Sequence, residues 1–278
     1  RHSLQYREEQ VRCLVDSSPS CPSPQRSQPT RANILEGLQW LLSTARPGDN
    51  LLFYFSGFST KQPRGTMNGP LEPCLVPQDV VDDFPPDFLT AGRSASAGPP
   101  EAGTGYRLVT LTRLRNMIAQ LPKGCKMTVV LDTSFAVMPG ITSIVEPSPV
   151  QVVPVQVCAA DAVPHATPEE LGCRSRTLEL PLQCLGPAPP HASGLPPLAC
   201  CCHCYTSCTG DASSMEVCIE GVVQGAFTWA FVKALTACHL EATTQQHRKA
   251  LQGIIGDLRN HFHWLSQTPV LQLGGSAA

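Results

Sequence analysis

The stretch from Pro29 to Ser59 limits what this chain can fold into more than any other feature. Thr30 is a typical helix N-cap, and the apolar residues after it recur at spacings of three and four, which places them on one face of a helix. A Pro-Gly turn at 47–48 ends this helix. The unbroken apolar run Leu51–Phe55 then predicts a strand buried on both faces, as in a parallel α/β sheet.

Polar residues follow this strand and a second one further along the chain. Leu51–Phe55 leads into Ser56 and Gly57, and the apolar run Met127–Leu131 leads into Asp132. Parallel α/β sheets bind ligands beyond the carboxyl ends of their strands. We therefore expect Ser56 and Asp132 to lie close together in any functional site.

Composition excludes several classes of partner. The 278 residues are 42% hydrophobic, which is enough for one large domain with its own core. A net charge of −2 without a basic run argues against nucleic acid and anionic membranes. No apolar run approaches the ~20 residues that span a bilayer, and the first residues do not resemble a signal peptide. These features predict a soluble, cytoplasmic protein.

The 14 cysteines include an adjacent triplet at Cys200–Cys202. Adjacent cysteines are poor disulfide partners, so we interpret most of them as reduced thiols buried like small hydrophobic residues. The run from Cys200 to Cys208, with His203, has the ligand types that zinc prefers. Neighbouring side chains on a strand point to opposite faces, however, so we favour an interpretation without metal.

Three segments resemble the metacaspases, which are relatives of the caspases. In that family, a segment like Pro29–Ser59 ends in His-Tyr-Ser-Gly-His-Gly, and its last His is the catalytic base. A strand like Met127–Leu131 precedes the nucleophilic cysteine, and Gly221–Leu235 is similar to a helix of the small subunit. The resemblance implies an α/β caspase-like three-layer sandwich with a mostly parallel central sheet. The family's opening strand and its Gly-Cys-x-Asn-Asp segment are absent, so we expect the first strand to be missing.

The same resemblance implies how the chain is divided. We expect a single caspase-like domain over 1–278, with a large-subunit-like part at 11–145, a Pro-rich variable linker at 146–197 and a small-subunit-like part at 198–278. Within it we expect Thr60–Gly105 to be a long surface excursion. We further expect helices at Val222–Leu235 and Arg248–Phe262, and an edge strand at Pro269–Leu273.

The two catalytic positions of the family are altered. Phe58 stands at the position of the base and Ser134 at that of the nucleophile. A phenylalanine cannot accept a proton, and a serine without an adjacent base is a weak nucleophile. Losing such a unit costs on the order of a million-fold in turnover. We expect Phe55, Phe58 and Phe135 to pack together as a collapsed active-site floor.

The family's pocket for a basic side chain survives in part. It is lined by residues that match Ser56 and Asp132, and a carboxylate there would attract Arg or Lys through charge-assisted hydrogen bonds. Alternatively, Asp132 caps the turn that follows it, and the sequence does not decide between these roles.

No cofactor is expected. The acidic residues that bind calcium in many metacaspases correspond here to Leu111, Thr112 and Ile141, and calcium needs several oxygen ligands. We interpret the remaining acidic cluster as a solvated loop: Asp79, Asp82 and Asp83.

Three functions remain open at this stage. We favour a pseudopeptidase that binds or regulates an active metacaspase relative or a basic peptide. The second possibility is a cysteine-type endopeptidase of the family class that hydrolyses proteins after Arg or Lys through an unexpected nucleophile. The third is a truncated gene product without a function of its own. The sequence gives no indication of the oligomeric state.

Overall fold

A computed structural model describes residues 6–16, 27–66, 68–83, 107–144, 174–178, 194–208, 212–238, 243–263 and 265–275. The helices are α1 (Arg31–Ser43), α2 (Leu111–Ile118), α3 (Ala226–Ala237) and α4 (Thr244–His261). The strands are β1 (Asn50–Ser56), β2 (Ser59–Pro63), β3 (Leu71–Leu75), β4 (Val109–Thr110), β5 (Lys126–Asp132), β6 (Thr142–Ile144), β7 (Arg174–Ser175), β8 (Cys201–Thr206), β9 (Met215–Ile219), β10 (Val222–Gly225) and β11 (Val270–Gly274). None of the described helices is both long and apolar enough to cross a membrane.

The central sheet has the strand order β1-β5-β8-β11-β6. β1, β5 and β8 are parallel, whereas β11 is antiparallel to both of its neighbours. The sheet is therefore mostly parallel, as predicted. The prediction that Pro269–Leu273 forms an edge strand was wrong, because Thr142–Ile144 pairs with its outer side.

Helices cover both faces of this sheet, which makes the predicted three layers. α1 and α2 pack on one face, and α3 and α4 pack on the other. The residues of β5 alternate between the two cores: Met127, Val129 and Leu131 belong to the first, and Val130 belongs to the second. This alternation follows from the two-residue period of a strand.

The start of α1 is held by two side chains. Thr30 Oγ1 accepts a hydrogen bond from the Asn33 amide at 3.2 Å, as the sequence predicts. Asp79 accepts another from the Arg31 amide at 2.7 Å and is only 7% exposed. The first amides of a helix lack intrahelical partners and favour an anion, so the interpretation of Asp79 as part of a solvated loop was wrong. The side chains of Asp82 and Asp83 lie outside the described residues.

β1 forms one edge of the central sheet within the described residues. Its Tyr54 is 47% exposed, so the prediction of a strand buried on both faces was wrong. A groove of about 1260 Å³ runs along this edge, between β1, α1 and part of the segment 6–16. The apolar run thus supplies one wall of a groove as well as the core.

Much of the predicted surface excursion is ordered sheet. Ser59–Pro63 pairs antiparallel with Leu71–Leu75, which pairs in turn with Val109–Thr110. Thr60 and Cys74 are buried in this small sheet. The prolines and glycines around these strands led to the prediction of a surface excursion. Such residues also occur at the ends of short hairpin strands. Residues 84–106 of the excursion lie outside the described part.

The predicted helix at Val222–Leu235 begins later than expected. Val222–Gly225 forms a β-hairpin with Met215–Ile219. Its two turn residues, Glu220 and Gly221, have φ values of 55° and 75°. Positive values at both positions are typical of a tight two-residue hairpin turn. The helix therefore starts only at Ala226.

Candidate functional site

The carboxyl ends of β1 and β5 meet as the sequence predicts. Ser56 pairs in register with Asp132, and the Gly57 amide donates a hydrogen bond to the Asp132 carbonyl at 3.2 Å. Asp132 has no exposed surface. A buried carboxylate needs charged or hydrogen-bonding partners, so its surroundings decide what this site can hold.

The partner of this carboxylate is an arginine of the same chain, Arg176. Its Nη1 donates hydrogen bonds to Ser56 Oγ and to the Asp132 carbonyl, both at 2.7 Å, and lies 2.9 Å from Asp132 Oδ2. Its Nη2 lies 3.2 Å from Glu216 Oε1. Arg176 is only 5% exposed. The pocket that the sequence predicts for a basic side chain is thus filled from within.

Hydrogen bonds also fix the backbone around Arg176. We call residues 174–178 the arginine strap. On one side the strap pairs antiparallel with β9, and the Arg176 amide donates to the Ser214 carbonyl at 2.8 Å. On the other side the Ser59 amide donates to the Arg176 carbonyl at 3.0 Å, and the Leu178 amide donates to the Ser59 carbonyl at 2.8 Å. The strap therefore lies in a cleft as an added strand, which is a common way of binding an extended peptide.

Asp132 has a second, structural role. Ser214 Oγ donates to its Oδ1 at 2.7 Å, while the Thr228 amide and hydroxyl donate to its Oδ2 at 3.0 and 2.5 Å. Thr228 lies in the first turn of α3, where helix amides lack intrahelical partners. Asp132 thus both binds Arg176 and caps a helix, although the helix is α3 and not the turn that follows Asp132.

Ser134, which the resemblance places at the family's nucleophile position, is 1% exposed. Its Oγ accepts a hydrogen bond from the Ser214 amide at 3.0 Å and another from Thr177 Oγ1 at 2.9 Å. A hydroxyl oxygen has two lone pairs, so these bonds occupy both of them. In this arrangement Ser134 Oγ accepts two hydrogen bonds.

The predicted collapsed floor of three phenylalanines does not form. Phe58 is 42% exposed. Phe135 instead lies under Lys61, whose Nζ is 4.3 Å from the ring centre. Its φ of 56° is rare for a residue with a side chain, so the chain turns sharply after Ser134.

Sequence reasoning missed Arg176 and Glu216. A signal for Arg176 was present, because the Pro-rich linker at 146–197 contains no lysine and only two arginines, Arg174 and Arg176. An acidic pocket elsewhere in the chain makes such isolated cations candidates for its partner. Apart from 174–178 and 194–197, the linker lies outside the described residues.

The positions of the family's calcium ligands do not fit a metal. Leu111 and Ile141 lie in the apolar core, and Thr112 is 1% exposed. α2 also buries the cation Arg115, one turn after Leu111, which would repel a divalent ion. Within the described residues, no three His, Cys, Asp or Glu side chains form a cluster that could hold a metal ion.

The cysteine run on β8 alternates between the two faces of the sheet. Cys200, Cys202 and Cys204 lie in the apolar core, and burial raises the pKa of Cys202 to about 12. Cys201 and His203 lie on the other side, where the Cys201 Sγ is 3.4 Å from the His203 Nε2. The ten cysteines within the described residues are all free thiols.

Comparison with known proteins finds relatives among the metacaspases. The family model of the metacaspase peptidase C14 domain matches residues 2–83, which contain α1, β1 and Phe58. Metacaspase-1 of Cryptococcus neoformans var. neoformans serotype D is 29% identical over 130 residues. Part of the chain is therefore similar to the metacaspase family. Another relative, inactive metacaspase-4 of Trypanosoma brucei brucei, is 32% identical over 110 residues.

These alignments cover part of each protein. They span 46% and 39% of this chain, and 24% and 25% of the fungal and trypanosome relatives. The chain therefore matches about a quarter of the length of these curated metacaspases. A solved structure of a protein from Geobacter sulfurreducens has a similar fold, with a TM-score of 0.52 at 12% identity over 91% of this chain and 76% of that protein.

Proposed function

We propose that this chain is a metacaspase-like pseudopeptidase, which holds an arginine-containing extended segment without cleaving it. The observation that carries the proposal is the contact of the Arg176 guanidinium with Ser56 and Asp132. The Arg176 carbonyl at the same time accepts a hydrogen bond from the Ser59 amide. This is the pose of a bound peptide, with its basic side chain in the acidic pocket and its backbone paired on both sides.

The chemistry of the neighbouring residues supports binding over cleavage. Hydrolysis through a side-chain nucleophile needs a group that removes its proton and an unshared electron pair for attack. Phe58 provides no proton acceptor, and both lone pairs of Ser134 accept hydrogen bonds. The relative named inactive metacaspase-4 supports the idea that members of this family exist without peptidase activity.

A partner would act by replacing the strap. An arginine-containing segment of another protein, such as an active metacaspase relative, would compete with Arg176 for Ser56 and Asp132. A tethered segment acts at an effective concentration on the order of millimolar, so a free peptide would bind the closed cleft weakly. We propose the cytoplasm as the location, because the described cysteines are free thiols.

Reporter peptides that end in Arg or Lys should not be hydrolysed, with or without calcium. The expected rate equals that of the Ser134→Ala variant, because neither protein has a base or a thiolate at the altered positions. Release of a fluorescent leaving group measures the rate. Turnover that disappears in Ser134→Ala would overturn the proposal and favour an endopeptidase with an unexpected nucleophile.

A further inference from the structure

We infer that the cleft recognises two consecutive residues, an arginine followed by serine or threonine, and that Ser134 recognises the hydroxyl of the second. This inference rests on the proposed function, because it names the class of segment that the cleft accepts. Ser134 is then a specificity-determining residue at the position where the family has its nucleophile.

The hydroxyl group of Thr177 lies in a small polar site. Thr177 Oγ1 donates its single proton to Ser134 Oγ at 2.9 Å and lies 3.1 Å from Ser213 Oγ, so the Ser213 hydroxyl is the donor in that second contact. Ser134 is fixed in turn by the Ser214 amide, which donates to the same oxygen at 3.0 Å. The acceptor is therefore held by a backbone amide that lies outside the strap.

The backbone hydrogen bonds of the strap fix which residue reaches this site. The Arg176 amide and carbonyl are bound to Ser214 and Ser59, and the Leu178 amide is bound to Ser59. Any segment that pairs in this register places the residue after its arginine beside Ser134. A valine there would match threonine in shape but would leave Ser134 Oγ, in a residue that is 1% exposed, without one of its donors.

The acidic part of the cleft favours arginine over lysine. Nη1 of Arg176 lies against Ser56 and Asp132, while Nη2 lies against Glu216. A guanidinium group reaches these separate acceptors with different nitrogens, whereas an ammonium group is a single point charge. The partner is therefore an extended segment that contains Arg-Ser or Arg-Thr.

The test uses Arg176→Ala, which removes the side chain that fills the pocket. Calorimetric titration compares three capped peptides that follow the sequence of the strap: Ser-Arg-Thr-Leu, Ser-Arg-Val-Leu and Ser-Gln-Thr-Leu. The Arg-Thr peptide should bind roughly fivefold more tightly than the Arg-Val peptide, as expected for one hydrogen bond. The glutamine peptide should bind most weakly. Adding Ser134→Ala should bring the Arg-Thr and Arg-Val peptides to within about twofold of each other.

The outcomes separate this inference from the proposed function. If the two arginine peptides bind equally and more tightly than the glutamine peptide, the hydroxyl recognition is wrong and the arginine site stands. If the glutamine peptide binds as well as the others, or none binds, the proposed arginine site itself is contradicted and the inference falls with it.

A measurement on the otherwise intact chain decides the question even if Arg176→Ala does not fold. Trypsin cleaves after Arg176 only when the strap leaves the cleft, so the cleavage rate at this bond reports how often the strap is open. Thr177→Val should raise this rate roughly fivefold, while Thr177→Ser should leave it within about twofold. In the Ser134→Ala background, Thr177→Val should have much less effect. Equal effects of Thr177→Val in both backgrounds would overturn the recognition by Ser134.

Discussion

Gly225→Ala should destabilise the fold by about 3 kcal/mol and loosen the arginine strap. A methyl group at position 225 would overlap Asp132 Oδ2 and lie 2.8 Å from Arg176 Nη2. The backbone itself permits alanine, because φ is −64° and ψ is 123°. The whole cost therefore comes from the ion pair, which must move or separate. Urea unfolding measures the loss, and trypsin cleavage after Arg176 measures the opening of the strap.

Gly256→Ala is the matched control. Gly256 lies inside α4 with no atom within 4 Å of an added Cβ. Alanine has the higher helix propensity, so this variant should be more stable by about 0.5 to 1 kcal/mol and should leave the strap closed. Equal stability of the two variants would show that the ion pair does not lie against Gly225.

Asp132→Asn should cost about 3 to 5 kcal/mol, because it leaves the charge of Arg176 buried without its partner. The neighbours of the carboxylate add to this cost. Ser214 Oγ donates to Oδ1, while Arg176 and Thr228 donate to Oδ2. Wherever the asparagine places its amide nitrogen, that nitrogen faces donors. Urea unfolding again measures the loss.

The exposed pair of Glu220 and Lys233, at 3.4 Å, provides the control Glu220→Gln, which should change stability by less than about 1 kcal/mol.

A double variant isolates the contribution of the ion pair. In the Asp132→Asn background, Arg176→Gln should cost much less than it costs in the wild-type protein, since the charge it removes has already lost its partner. The two single changes should therefore be strongly non-additive. Additive costs would mean that Asp132 stabilises the protein only as the cap of α3, without a contribution from Arg176.

The sequence predicted the elements whose patterns are local. The apolar stripe of α1 and its Thr30 cap are properties of neighbouring residues, and both are present in the structure. The meeting of Ser56 and Asp132 was predictable as well, because parallel strands end at the same edge of a sheet. Such patterns do not depend on which distant segment packs beside them.

The sequence did not predict features that depend on distant partners. Val222–Gly225 has no strand signal apart from two valines, and its pairing with β9 overrides the helical pattern that follows. In the sequence, Asp79 is one member of an acidic cluster. Its hydrogen bond to the start of α1 becomes visible only in the fold. Arg176 lies in a Pro-rich linker without periodicity. Its role arises only when β7 pairs with β9 and places its side chain in the acidic pocket.

The central claim is that Arg176 fills the acidic pocket, and a reagent specific for guanidinium groups tests it most directly. Arg174 is the internal control, because it lies in the same strap and is exposed, whereas Arg176 is 5% exposed. After brief treatment of the folded protein with phenylglyoxal, mass spectrometry should find Arg174 modified and Arg176 intact, and Asp132→Asn or denaturant should make Arg176 reactive. Modification of Arg176 as fast as that of Arg174 in the folded wild-type protein would contradict the account.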